Sequence, residues 1–219
     1  MHLQQLFFCV METILLLQYL KKLNAISLKN DTLRHSGKEK RKYQSKGVGM
    51  EFKELVVKRY SCKNYSDREV TNEKITAILE AGRVAPTAKN LQEQHIYVVQ
   101  SPEMLAKIDE VTPCRYGART VILVAFDRNN VFTYPGGKRD SGIEDATIVA
   151  THMILAAANE GVDSCWVNNF DPDKLAIELG IPETEEILML MDLGYAAEGA
   201  GPLANHSKRK ALTETVSHL

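Results

Sequence analysis

The chain has 219 residues, and its 27 lysines and arginines nearly balance 28 aspartates and glutamates, for a net charge of −1. With 44% hydrophobic and 25% charged residues, the composition is typical of one globular domain, or two at most. Residues 1–49 carry a net charge of +6 and residues 50–219 a net charge of −7, and an acidic body of this kind disfavours general nucleic-acid binding.

The first 49 residues differ from the rest in pattern. Their apolar stretch around Leu6–Val10 is too short and too interrupted for a membrane span, and bases follow it, unlike in a signal peptide. Residues 29–49 are basic without periodicity, which predicts a disordered extension. We therefore expect the natural start at Met50, where an amphipathic segment begins. The alternative is a genuine basic arm that contacts a membrane or a nucleic acid.

Helical and strand patterns alternate from residue 51 onward. Apolar residues recur at helical spacing over 51–58. Thr71 is the expected N-cap of a helix over 72–84, and Pro86 follows its end. His95–Gln100 is rich in β-formers and predicts a strand, after which Ser101 and Pro102 begin a helix that continues through 109.

The second half of the chain continues this mixture. Residues 120–126 form a continuous apolar run, typical of a central strand covered on both faces. Residues 143–161 predict a helix that is apolar almost all round and must therefore lie in a core or a subunit interface. Short strands are predicted at 163–167 and 186–195, and a helix begins at Asp171-Pro172. Because strands and helices mix without strict βαβ order, the predicted class is α+β, a central sheet flanked by helices.

The cysteines indicate no metal site. Cys9, Cys62, Cys114 and Cys165 lie far apart, with no C-x-x-C pair and no matching histidine spacing. Neither a zinc site nor a disulfide framework is predicted, and a reducing cytoplasm is the simplest location.

Two segments could bind an anionic or flat ligand. Residues 59–63, Arg-Tyr-Ser-Cys-Lys, combine cations and a hydroxyl at a helix end, which suits an oxyanion. Residues 85–92, Ala-Pro-Thr-Ala-Lys-Asn-Leu-Gln, offer small residues for close approach and the amides of Asn90 and Gln92 for the imide edge of a heterocycle. Each segment alone is equally compatible with an ordinary turn.

Two later segments add to this set. A predicted buried strand ends in Asn168-Asn169 just before a helix, where backbone N–H groups could face a cofactor atom that gains negative charge. The other is Gly194-Tyr195 followed by the basic tail Lys208-Arg209-Lys210, which by itself is only a basic terminus.

Together and in this order, these segments resemble the nitroreductase family of flavin mononucleotide (FMN) enzymes, particularly its short bacterial members, over residues 51 to 216. The resemblance implies an α+β sandwich with a central mixed or antiparallel sheet. It also implies an intertwined homodimer with two FMN sites at the subunit interface, which would account for the apolar helix at 143–161.

The resemblance assigns roles by position. Arg59, Ser61 and Arg209 match the phosphate-binding residues, and Tyr60 lies within the same site. Lys63 and Asn90 match residues that meet the flavin pyrimidine, where a positive charge stabilises the reduced anionic ring. The remaining matches lie along the flavin or near its N5 atom: Pro86, Thr87, Ala88, Gln92, Asn168 and Asn169.

Three departures from the family pattern stand out. Asn168 replaces an acid, and Glu93-Gln94 stands where Pro-Trp is common. The region of a substrate-covering helical insertion is short, roughly residues 113 to 120. These departures predict an altered pocket rim and an open or differently covered site.

The implied activity is transfer of hydride from NAD(P)H through flavin N5 to a nitroaromatic, quinone or similar small acceptor, by a ping-pong mechanism. No Rossmann G-x-G-x-x-G is present, which suits a transient nicotinamide co-substrate. No side chain is expected to act as a catalytic nucleophile, and His152 is expected to be structural. The alternative is a non-catalytic protein that binds or sequesters flavin on the same fold.

Overall fold

The computed structural model describes residues 50–219, so the predictions about residues 1–49 lie outside the described residues. The helices are α1 (Phe52–Lys58), α2 (Asn72–Arg83), α3 (Pro102–Val111), α4 (Gly142–Asn159) and α5 (Pro172–Leu179). The strands are β1 (Gln94–Val99), β2 (Thr120–Asp127), β3 (Asp163–Val167) and β4 (Glu185–Gly194). Each predicted element is present within one or two residues of its expected bounds.

The four strands form one antiparallel sheet in the order β1-β2-β4-β3. Strand β2 is central and almost wholly buried, as its continuous apolar sequence predicts. The α+β class is therefore confirmed.

Helices cover both faces of the sheet. On one face, α2 and α4 pack against Ile122, Val124 and Met191. On the other face, α3 and α5 pack against Val121 and Leu123. Successive β2 residues thus serve two cores, because side chains of a strand alternate between its faces.

Helix α4 is only partly covered by its own chain. Its buried side includes Val149 and Met153, yet the side chain of Ile143 is 55% exposed. The predicted burial is therefore met only where α4 faces the sheet and helix α2, whose Gly82 packs on Met153. The exposed apolar side needs a cover that the described residues do not supply.

The segment after α1 extends the sheet beyond β3. Ser61 pairs with Ser164 in a parallel bridge, and the Cys62 N–H donates to the Ser164 carbonyl at 2.9 Å. Tyr65 packs on Gly194, where a Cβ would lie 2.7 Å from the tyrosine ring. These contacts fix residues 60–65 along the edge of β3.

Two of the three predicted N-cap residues cap their helices through a side-chain hydrogen bond. The Asp171 carboxylate accepts from the backbone N–H groups of Asp173 and Lys174, and the Ser101 hydroxyl accepts from Met104 N–H. Thr71 precedes α2 as expected, but its side chain makes no capping hydrogen bond to the helix.

Among residues 50–219, no helix has the length and apolar character that crossing a membrane requires.

Candidate functional site

One group of predicted site residues lies along the outer edge of β3. Ser61 runs beside this strand, and Asn168 and Asn169 follow its last residue. We call this group, together with Arg59, Tyr60, Lys63 and Arg209, the strand-edge cluster.

Lys63 and Asn169 meet around the loop that follows α3. The Lys63 ammonium lies 5.6 Å from the centre of the Tyr116 ring, and the Asn169 amide donates to the Cys114 sulfur at 3.4 Å. The buried Thr112 hydroxyl donates to the Asn169 carbonyl at 2.7 Å and holds the two loops together. The structure thus places Lys63 and Asn169 around one loop, at Tyr116 and at Cys114.

The basic tail returns to the turn after α1. The His206 ring lies 3.3 Å from the Val57 carbonyl and meets the Tyr60 ring edge-on. The Arg209 guanidinium, three residues further on, bonds the His206 carbonyl. The tail therefore brings Arg209 toward the turn that carries Arg59.

Arg59 itself lines a cleft of about 170 Å³ between α1, the end of α4 and the start of β3. Among residues 50–219, no acidic side chain pairs with the Arg59 guanidinium. The cleft also contains the Asp163 carboxylate, which accepts from Ala196 N–H at 2.8 Å instead of pairing with Arg59. A guanidinium without an acidic partner can bind an external anion.

The Asn168 side chain is used within the fold. Its amide oxygen accepts from the Trp166 indole, and its amide nitrogen donates to the Leu188 carbonyl at 3.3 Å. The amide that stands in place of an acid thus ties the end of β3 to β4.

The remaining predicted site residues, 86–92, form a second group that we call the loop cluster. The Thr87 hydroxyl accepts from Gln92 N–H at 3.0 Å, which closes the loop on itself. Lys89, Asn90 and Gln92 all have positive φ, between 51° and 55°. Such backbone is costly for residues other than glycine and concentrates at functional loops.

The two clusters lie at opposite ends of α4. Ala88 N–H bonds to Asp145 in the first turn of this helix, whereas the cleft at Arg59 includes Ala158 near its other end. Thirteen residues at 1.5 Å each separate those positions by about 20 Å. One chain therefore does not bring the loop cluster and the cleft at Arg59 together, although the resemblance assigns both to one FMN site.

Two groups near the strand-edge cluster were not expected from the sequence. Burial raises the pKa of Asp192 in β4 to about 8, and both of its carboxylate oxygens lack a hydrogen-bond partner among the described residues. Hydrogen bonds from Asn169 and Tyr116 lower the pKa of the Cys114 thiol. The sequence signal for both is weak: Asp192 interrupts an apolar run, and Cys114 lies within the short region at 113 to 120.

A third unexpected feature lies behind the loop cluster. Glu93, noted only as a departure from Pro-Trp, is buried together with Asp145 of α4. Asp145 and His152 lie seven residues apart on α4, a spacing that could bring them together on one helix face. In the structure, Asp145 accepts from Ala88 N–H, whereas the exposed His152 ring contacts the Ile148 carbonyl. The two side chains therefore have separate partners.

The Nitroreductase family model matches residues 56–114 and 113–195. A protein of Methanothermobacter thermautotrophicus that carries the name NADH dehydrogenase/NAD(P)H nitroreductase is 33% identical over 162 residues, 69% of this chain and 81% of that protein.

Solved structures show the same fold. A nitroreductase family protein of Clostridium difficile is 37% identical, with a TM-score of 0.73 over 77% of this chain and 98% of that one. A nitroreductase of Exiguobacterium sibiricum, solved in complex with FMN, has a TM-score of 0.68 at 20% identity over 79% of this chain and 99% of that one.

Proposed function

This chain belongs to the nitroreductase family of oxidoreductases, and we propose that it binds FMN and uses NAD(P)H to reduce a small acceptor such as a nitroaromatic or a quinone. The observation that carries the proposal is the strand-edge cluster, which gathers free cations, a hydroxyl and amides along one strand edge. The FMN in the Exiguobacterium relative is consistent with this cofactor.

The described residues fit the phosphate of FMN. The Arg59 guanidinium has no acidic partner among them, and Arg209 bonds only main-chain carbonyls. Two guanidinium groups and the Ser61 hydroxyl would together donate to a phosphate, for which charge-assisted hydrogen bonds are the strong ones.

The residues near Tyr116 fit the polar edge of the flavin ring. Lys63 is exposed and carries a positive charge, and Asn169 presents its amide beside Cys114. A cation here would favour an anionic ring over a neutral one. Bound FMN would supply the redox chemistry, taking electrons from NAD(P)H and passing them to the acceptor in separate half-reactions, a ping-pong sequence.

A homodimer would bring the two clusters together. Because one chain holds them about 20 Å apart, the loop cluster of one copy would complete the strand-edge cluster of the other. The uncovered side of α4 and the exposed tail residues Leu212 and Val216 supply apolar surface for such an intertwined dimer.

FMN titration of Arg59→Ala and Arg209→Ala tests the phosphate site. We expect each variant to bind FMN about 10- to 150-fold more weakly, which corresponds to about 1.5 to 3 kcal/mol per charged hydrogen bond lost. Lys53→Ala, which removes an exposed cation from α1, is the matched control and should bind like the wild type. Unchanged affinity in both arginine variants would show that the phosphate site is misplaced.

Stopped-flow mixing of the FMN-loaded protein with NADH and with NADPH tests the activity. Rapid bleaching of the visible flavin band is expected. A flavin that binds but stays oxidised with both nucleotides would instead support flavin binding or sequestration without catalysis.

The cytoplasmic location stays a prediction.

A further inference from the structure

Two buried carboxyl groups lie directly behind the loop cluster. Glu93 immediately precedes β1 and is 3% exposed, and Asp145 in the first turn of α4 is 4% exposed. The carboxyl groups interact with each other. Fifty-two positions separate them in sequence, so only the fold pairs them.

The pair connects to the loop through one backbone group. Both carboxylate oxygens of Asp145 accept from Ala88 N–H, each at 3.0 Å. The Ser141 hydroxyl donates to Glu93 Oε1 at 3.3 Å, but no described group donates to Glu93 Oε2. One Glu93 oxygen is therefore buried without a partner unless a proton lies between the two carboxyl groups.

Electrostatics places that proton on Glu93. Two adjacent carboxylates removed from water cannot both ionise without a large cost. Burial and the Asp145 carboxyl together raise the pKa of Glu93 to about 7. Asp145 accepts Ala88 N–H through both of its carboxylate oxygens, so Glu93 becomes the donor of the pair.

Among the titratable side chains of the elements that pack around Glu93, Asp145 is the one that raises the Glu93 pKa. The other charged side chains nearby, from the loop, the end of β2 and the start of α4, have contacts of their own: Lys89 with Phe132, Asp127 with Asn129, Asp140 with Gly142 and Glu144 with Tyr134. Burial and the neighbouring Asp145 carboxyl together therefore favour the proton on Glu93.

The loop needs an anchor of this kind. Lys89, Asn90 and Gln92 in this loop have positive φ. Residues other than glycine keep this conformation only where surrounding contacts enforce it. The hydrogen bond from Ala88 N–H to Asp145 attaches the loop to α4. Ala88 immediately precedes Lys89, the first of those residues.

We propose that Glu93 is a positioning residue: its protonated carboxyl donates to Asp145, holds Asp145 on Ala88 N–H and so fixes the loop cluster. Loss of that proton leaves two buried negative charges side by side, and the anchor releases the loop. The predicted effect of this contact on FMN affinity rests on the proposed function. The contact between Glu93, Asp145 and Ala88 N–H does not.

Amide hydrogen exchange of residues 86–92 tests the anchor in the FMN-free full chain. The matched variant is Glu93→Gln, which keeps an N–H donor for Asp145 and an acceptor for Ser141 but cannot titrate. At pH 6 we expect equal exchange in wild type and variant. At pH 8.5 we expect the wild-type loop to exchange roughly tenfold faster than the variant loop at the same pH, because most Glu93 is then ionised.

Glu93→Ala removes the donor, so its loop should exchange faster than the Glu93→Gln loop at both pH values. The far end of α3 serves as an internal reference in every sample. Equal exchange of the wild type and Glu93→Gln at both pH values would overturn the proposal.

FMN titration at the same two pH values then tests the consequence. The wild type should lose FMN affinity between pH 6 and 8.5 relative to Glu93→Gln, by roughly the same factor as the loop exchange. If neither protein binds FMN, the proposed function fails while the exchange result still decides the anchor. If both bind with equal affinity at pH 8.5 despite a released loop, the link between the anchor and cofactor binding is wrong.

Discussion

At the scale of single residues, Asp192 shows how burial sets charge. It lies in β4 opposite Cys165 of β3 and Val121 of β2, in a core that is otherwise apolar, and it is 1% exposed. The positive charge of Arg115 offsets only part of the burial, so the pKa of Asp192 is raised from 3.8 to about 8. The carboxyl is therefore neutral at pH 7.

Replacement of this acid should remove a pH dependence of stability. In the wild type, the free energy of unfolding should fall as pH rises from about 4 to about 8, because the unfolded chain releases the Asp192 proton more readily than the folded chain does. Asp192→Asn should lose this part of the decline. Urea unfolding at pH 5 and pH 9 measures it, with exposed Glu110→Gln as control. An Asp192→Asn profile that parallels the wild type would contradict the burial argument.

Cys114 shows the opposite effect of surroundings on an ionisable group. Hydrogen bonds from Asn169 and Tyr116 favour its thiolate, whereas burial raises the pKa values of Cys62 and Cys165. The three thiols of residues 50–219 are thus chemically distinct.

Alkylation should separate these thiols. In the FMN-free protein at pH 7.5, iodoacetamide should label Cys114 faster than Cys62 or Cys165, because Cys114 is both more accessible and more ionised. Asn169→Ala should slow labelling of Cys114 and leave the buried thiols unchanged. Peptide mass spectrometry follows each site, and equal rates at Cys114 with and without Asn169 would show that this hydrogen bond does not tune the thiol.

At the scale of elements, the start of α4 packs closely on β2. Gly142 opens the helix against the face of Phe126 in β2, and any Cβ there would overlap the phenylalanine ring. Because Asp145 follows within one turn, this packing also sets the position of the loop anchor.

Gly142→Ala should therefore destabilise the protein. Overpacking at this junction should lower the free energy of unfolding by about 1 to 3 kcal/mol. Gly201→Ala is the matched control, since a Cβ at Gly201 would meet no atom within 4 Å. Urea unfolding of both variants gives the comparison, and equal stability would show that α4 shifts to accommodate a methyl group.

At the scale of the whole molecule, the two halves of the predicted site lie at opposite ends of α4. Under the proposed function, one FMN would not reach both within one chain, and the described residues leave Ile143 of α4 exposed. The homodimer proposed above would meet both requirements.

Mixing two defective variants tests this sharing. One variant carries Arg59→Ala and Arg209→Ala, and the other carries Asn90→Ala and Gln92→Ala. Each alone should bind FMN weakly, but refolding them together in equal amounts should restore roughly a quarter of the sites, because half of the dimers are mixed and each mixed dimer has one intact site.

Light scattering provides the mass of each sample, and the variants refolded separately provide the baseline. Recovery no greater than that baseline in a dimeric mixture would show that each site belongs to a single chain.

The order and type of the elements were predictable because helix and strand periodicities are local properties of the chain. The run at 120–126 and the pattern at 143–161 each determined an element, and Asp171 marked a helix start. The segments of the strand-edge cluster were also recognisable, since each consists of a few adjacent residues of suitable chemistry.

What the sequence could not determine was which distant residues meet. Only the tertiary structure pairs Glu93 with Asp145, places Asn169 on Cys114 and separates the loop cluster from the cleft at Arg59 by the length of a helix. Proton affinity depends on solvent exclusion and on neighbours that the chain brings from far along its length. The sequence therefore determined the elements and the kinds of group available, and folding decided their charge states and their partners.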